Sequence, residues 1–169
     1  THSNLVNKNI TIYDQVGFNE PVKDHATIMS SIVGGEYGVA KNAQLFCSAI
    51  TGNVLHEVEW MINRGVDVIN MPFGEDNPNG YYNVDSAFVD YAVKTYDVVG
   101  VAAIGNGGAN EYIGNPGLAY NVISVGNMTS TDIPSPNNSL KTRTTRGKPT
   151  VLTCGYGLNI EGFDRIYSG

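Results

Sequence analysis

Apolar and polar positions divide the chain into alternating helix and strand signals. Ile10-Thr-Ile-Tyr13 alternates enough for a short strand within a polar, irregular opening over residues 1–24. From His25 the spacing changes. Ile28, Met29, Ile32 and Val33 recur at helical intervals, and Gly34-Gly35 closes that helix. A second strand is centred on Leu45 to Ala49. Asn53 then stands at a capping position before a helical stripe of Val54, Leu55, Val58, Met61 and Ile62, with Gly65 just beyond its last turn. Val66 to Met71 follows as a strand, and the unit recurs. Asn83 opens a helix with Ala87, Phe88, Tyr91, Ala92 and Thr95 on one side, which feeds the run Val98 to Ile104. Helix-to-strand units in succession predict parallel strands joined by right-handed crossovers. The run at 98–104 does not alternate, as expected of a strand covered on both faces. Asn121 to Gly126 and Thr150 to Thr153 read as further short strands, and a hairpin is expected around Arg146-Gly147.

In an open α/β sheet, ligands bind at the carboxyl ends of the strands. Two stretches fall there: the Gly, Asn and Pro-rich loop Phe73 to Tyr82, and Gly105-Asn-Gly-Gly108 after the longest apolar run. Asn106 brings a neutral amide donor to that edge, and the glycines around it let a substrate backbone approach without meeting a Cβ. On this stretch alone a turn is the simpler reading, since Asn-Gly is a common turn signal.

Composition narrows the function classes. A chain of 169 residues, 41% hydrophobic and 15% charged, fits one globular domain over residues 1–169 with a sizeable core. The net charge of −6 argues against a nucleic-acid or anionic-membrane surface. Lys141, Arg143, Arg146 and Lys148 form one basic cluster, expected as a solvated face or hairpin. No apolar run approaches the roughly 20 residues of a membrane-spanning helix, so no membrane insertion is expected. Cys47 and Cys154 read as small, buried or half-buried thiols rather than a disulfide framework. His56 lies in HEVEW, which lacks the second histidine of a zinc-binding helix, and no metal or cofactor is expected. His25, at a helix start beside the small Ala26 and Thr27, would expose its imidazole over the carboxyl edge of the sheet.

Taken together, Asp24-His-Ala-Thr-Ile-Met-Ser-Ser-Ile-Val-Gly-Gly35, Tyr37-Gly-Val-Ala-Lys-Asn-Ala-Gln-Leu45, Val58-Glu-Trp, Asp67-Val-Ile-Asn-Met-Pro-Phe-Gly74, Ala102-Ala-Ile-Gly-Asn106, and Asn115-Pro-Gly117 through Val122-Ile-Ser-Val-Gly126 resemble consecutive motifs of the subtilisin-like serine proteases. The resemblance implies a three-layer α/β fold, a parallel sheet with helices on both faces. It implies that His25 is the general base and Asn106 the oxyanion-hole donor of an acyl-transfer site. Pro72-Phe73-Gly74 and Ala103-Ile104-Gly105 would form the two walls of the slot for the side chain before the scissile bond, with Gly114 near its floor. Such a slot favours a large apolar side chain on a peptide or protein substrate. An extracellular or cell-surface location is implied by the family alone.

The departures carry their own expectations. The family's aspartate would fall just before Thr1, and Tyr167-Ser-Gly169 resembles the approach to the nucleophilic serine, so the chain reads as a piece lacking the aspartate strand and the serine helix. The opening THSNL, without an initiator Met, fits an excised piece. Asp14 imitates the family's aspartate but stands close to His25, while Ser30, Ser31 and Ser168 have no motif in their favour. Thr51-Gly-Asn53 is short for the peptide-pairing loop, and Gly34-Gly-Glu-Tyr37 is short for a calcium loop. Ala26 and Ile28 replace residues common after the histidine. This chain is therefore expected to be inert alone and to self-associate through surface left uncovered. The rival reading is a non-catalytic, protease-like binding or regulatory module.

Overall fold

The computed structural model describes residues 2–13, 24–48, 53–143, 145, 147–160, 163 and 166–169. In chain order they form a 3₁₀ turn Ser3–Leu5, β1 Ile10–Tyr13, α1 Asp24–Gly34, β2 Leu45–Ser48, α2 Val54–Ile62, β3 Val68–Met71, α3 Val84–Tyr96, β4 Val99–Ala103, β5 Val122–Met128, β6 Val151–Cys154, β7 Leu158–Asn159 and β8 Ile166–Tyr167. The chain divides into two compact units, residues 1–53 with 158–167, and residues 54–157 with 168–169.

In the first unit β1 and β2 pair in parallel, Ile10 opposite Leu45 and Tyr13 opposite Ser48. Ile28 of α1 and Leu45 are buried. A Cβ built at Gly34 would lie 3.0 Å from Leu45 Cδ2, so the end of α1 packs directly on β2 and tolerates no larger residue without a shift. The turn after α1 is equally tight. Gly35 N–H donates to Ser31 C=O at 3.1 Å, and a Cβ on Gly35 would meet that oxygen at 2.6 Å. Val39 and Ala40 then donate back to Ile32 and Val33 at 3.1 and 2.7 Å. β7 and β8 form a short antiparallel pair.

The second unit is a parallel sheet in the order β3-β4-β5-β6, as the repeated helix-to-strand pattern predicts. α2 and α3 pack on one face of it. Val54 and Val58 from α2 and Val89 and Ala92 from α3 meet Ile69, Met71, Ala102 and Val122 in the main core. Gly100 makes the approach possible, since a Cβ there would stand 3.0 Å from both Val93 and Val122. Within this unit the opposite face is open: Val68, Val99, Ile123 and Val151 are 55%, 45%, 39% and 45% exposed. β4 thus buries alternate residues, although its sequence does not alternate. A second core of Ile104, Ile113 and Leu118 lies under the loops at the carboxyl end.

α3 begins at Asn83, whose side chain accepts from Ser86 N–H at 3.1 Å. It ends at Asp97 in a left-handed conformation, φ 55°, where no glycine announces the stop. The antiparallel turn in the last third lies around Met128 and Pro134, with Thr129 N–H donating to Ile133 C=O at 2.8 Å. The hairpin expected around Arg146-Gly147 falls partly outside the described residues, and β6 after it pairs in parallel with β5. Asp14, Ala49, Thr51 and Gly52 also lie outside them.

Candidate active site

The second unit brings together most of the residues singled out from the sequence. Asn106 stands in the loop directly after β4, exposed at the carboxyl end of the sheet. Its neighbours Gly105 and Gly108 have φ of 101° and 91°, so the turn reading and the site reading describe the same backbone. Ser139 holds this loop from both sides. Its N–H donates to Gly105 C=O at 3.1 Å, and its Oγ accepts from Gly107 N–H at 3.1 Å. Gly108 N–H donates to Asn137 C=O at 2.9 Å. The Asn106 amide faces Gly169, where a built Cβ would lie 3.4 Å from Nδ2. Gly169 is itself fixed by its N–H to Gly155 C=O at 3.1 Å, and Ser168 Oγ accepts from Gly157 N–H at 3.0 Å.

The segments expected as slot walls are tied together through Gly114. Its N–H donates to Ile104 C=O at 3.2 Å, and a Cβ on it would collide with Glu75 C=O at 2.6 Å. Glu75 N–H donates to Asn115 C=O at 3.0 Å, which lays residues 74–75 beside 114–115. Pro72, Phe73, Ala103 and Gly105 are half-buried, Gly74 is exposed and Gly114 is buried. Ile104, 1% exposed, turns its side chain into the core with Ile113 and Leu118, so it offers this edge only its backbone. Phe73 also packs against the main core.

His25 belongs to the first unit, where it is the second residue of α1 and exposed. Ser30 Oγ lies 3.6 Å from Cys47 Sγ in that unit, and Ser31 is buried.

Sequence reasoning did not foresee the side-chain hydrogen bonds that organise these loops. Asn77 clips the loop after β3, accepting from Tyr81 N–H at 3.1 Å and donating to Tyr81 C=O at 3.1 Å and Ile113 C=O at 3.2 Å. Asn115 is buried, donates to Tyr81 C=O at 3.1 Å and accepts from Ser86 Oγ. Asp90, also buried, accepts from Tyr82 OH at 2.7 Å, Tyr120 N–H at 2.9 Å and Asn121 N–H at 2.6 Å. Burial, followed by the hydrogen bond to Asp90, pushes the Tyr82 phenol well above its ordinary value. The richness of this loop in Asn was the available signal. The basic cluster, expected to be solvated, makes specific contacts. The Arg143 guanidinium lies over the Tyr81 and Tyr112 rings, and Lys148 Nζ donates to Ala119 and Val122 C=O at 2.7 and 3.2 Å.

The sequence profile of the Subtilase family, Peptidase S8, matches residues 2–166. The chain belongs to the subtilase family. It is 32% identical over 148 residues to the alkaline proteinase of Hapsidospora chrysogena, covering 77% of this chain and 35% of that protein. It is 34% identical over 115 residues to the minor extracellular protease Vpr of Bacillus subtilis, covering 61% of this chain and 14% of that one. Subtilisin E of Bacillus subtilis is 32% identical over 108 residues, covering 58% and 28%. This subtilase chain therefore spans about a third or less of these relatives. Its fold is shared with the prenylagaramide maturation protease PagA at a TM-score of 0.80 and 18% identity, over 99% of this chain and 64% of that one. The self-cleaved protease domain of PatA superposes at a TM-score of 0.76 and 20% identity, over 99% and 68%. The subtilase fold is thus an α/β fold with a parallel sheet and helices, as the sequence resemblance implied.

Proposed function

We propose that this chain is one partial subtilisin-like peptidase domain, whose parent protein hydrolyses peptide bonds through an acyl-enzyme. His25 is the general base, taking the proton from the nucleophilic serine and returning it to the leaving amine. The Asn106 amide donates to the oxygen that becomes negative in the tetrahedral intermediate. Pro72, Phe73, Gly74, Ala103, Gly105 and Gly114, with the backbone of Ile104, receive the side chain before the scissile bond.

The observation that carries this reading is the approach of Gly169 to the Asn106 amide, 3.4 Å from a built Cβ to Nδ2. Tyr167-Ser-Gly169 resembles the segment leading to the family's nucleophile, and an oxyanion donor must sit beside that nucleophile to act on the same carbonyl. The 169 residues by themselves are proposed to be inert, because Ser30, Ser31 and Ser168 have no nucleophile motif in their favour and Asp14 stands close in sequence to His25. Secretion belongs to the same proposal and is supported by the relative named as an extracellular protease.

The test is hydrolysis of an apolar peptide ester by the parent protein. Activity is expected, with loss on His25→Ala and a fall in kcat of about 10²–10³ on Asn106→Ala, a magnitude taken from a subtilisin rather than derived from this geometry. An inactive parent would leave the non-catalytic binding module as the better reading. Stoichiometric labelling of residues 1–169 alone by a serine-hydrolase probe would overturn the proposed inertness.

A further inference from the structure

Arg143 and Lys141 form a cationic group on a protein that is otherwise acidic. The chain carries 16 Asp and Glu against 10 Lys and Arg. Yet among the described residues no carboxylate lies within ion-pair distance of either side chain, whereas Lys8 does pair with Glu36 at 3.2 Å. Arg143 is held instead by aromatic rings and backbone. Its Cζ is 5.0 Å from the Tyr81 ring centroid and 5.4 Å from that of Tyr112, and its Nε donates to Asn79 C=O. Lys141 Nζ stands 5.6 Å from the same Tyr112 ring. Glu111, whose C=O accepts from Lys141 N–H at 3.0 Å, lays its side chain over Gly107, where a built Cβ would meet its Cγ at 2.7 Å.

A guanidinium held over two rings and anchored through Nε is restrained in direction, and its two Nη groups remain as a planar fork that matches a carboxylate. Most of the rotamer entropy that a surface arginine loses on binding an anion has already been lost here. Lys141 adds a second positive charge beside the same ring. Arg143 and Lys141 are both exposed, and so is Tyr81 at 63%. The platform also belongs to the site's own loops. Tyr81 is on the loop that begins with Phe73-Gly74, and Tyr112 is on the loop that runs from Asn106 to Gly114. Gly80 seals the two together, since a Cβ there would stand 2.3 Å from Tyr112 Cδ1.

We propose that Arg143, with Lys141, is a carboxylate-binding fork that takes an acidic side chain of the peptide substrate flanking the apolar slot. The substrate role rests on the peptidase reading above; the carboxylate chemistry does not.

The test uses the parent protein with His25→Ala, so that nothing is cleaved, and hexapeptide pairs that differ only as Glu against Gln at one position. The Glu peptide is expected to bind about tenfold more tightly at its best position, and the preference should weaken as salt is raised. Arg143→Met should abolish the preference. Arg143→Lys, which keeps the charge but not the fork, should lose most of it, and Lys141→Met should lose part. Lys141 stands over the Tyr112 ring alone, so it tests the charge even if Arg143→Met perturbs the loops, which its unfolding midpoint would reveal. Equal affinity for the twin peptides, or a preference surviving Arg143→Met, overturns the inference. Free glutarate competing as strongly as the peptide overturns the substrate role. Because binding is read without turnover, an inactive parent sinks the hydrolase reading and leaves this result standing.

Discussion

Asn106 depends on a residue it is not bonded to. Ser139 accepts from Gly107 N–H and donates to Gly105 C=O, one contact on each side of the asparagine. Ser139→Ala removes the first and keeps the second. The loss is worth about 1 kcal/mol, so the parent's kcat is expected to fall several-fold with KM little changed, far less than for Asn106→Ala. An unchanged kcat would show that the backbone bond alone positions the amide. Asp90 and Tyr82 give a second residue-level expectation. The Tyr82 phenol ionises at a higher pH in the folded state than in the unfolded chain, where its ordinary value is 10.0. Below that pH both states keep the proton. Above it the unfolded state loses its proton first, so stability falls as pH rises towards the folded-state value. Tyr82→Phe should flatten that alkaline loss in a series of denaturant melts. At this scale motif order is what singled out His25, Asn106 and the slot segments as candidates in the sequence. The contacts of Ser139, Asp90 and Arg143 were hidden because each has a partner 32, 30 or 64 residues away, beyond the reach of local pattern.

At the scale of elements, helix identity came from period and helix ends from capping chemistry. Asn83 was legible as a start because its short amide can accept from the first turn, and it does so with Ser86 N–H. Asn83→Ala is expected to cost about 1 kcal/mol in denaturant unfolding. The end of α3 was less legible, since Asp97 takes the left-handed conformation usually left to glycine. The strand ends were displaced by one or two residues, as at β5, read as Asn121 to Gly126 and found as Val122–Met128. The turn that follows β5, with Asp132 at φ 60°, was not anticipated from the sequence. Gly80 is where one loop meets another. Its φ of 67° and its contact with Tyr112 leave no room for a side chain. Gly80→Ala should therefore disturb both loops, seen as faster amide exchange over residues 77–82 and 111–114 with the sheet amides unchanged.

For the molecule as a whole, the feature that bears on solution behaviour is the open face of the β3–β6 sheet. Val68, Val99, Ile123 and Val151 each keep a third or more of their surface exposed on it, with the half-buried Val101 and Val125 between them. An apolar face of this kind tends to be hidden by association, and we propose that this chain self-associates through it. The net charge of −6 opposes that association. Two dependences with known signs follow. Added salt screens the repulsion while leaving apolar burial intact, so association should strengthen with ionic strength. A lysine at Val99 or Ile123 should weaken it, because the charge would have to be desolvated at the contact even though it lowers the net negative charge. Sedimentation of residues 1–169 over a concentration series, at low and moderate salt, reads both. A monomer throughout would mean that the exposed valines and isoleucine are too dispersed to drive association, and would leave the face as scattered surface apolar residues.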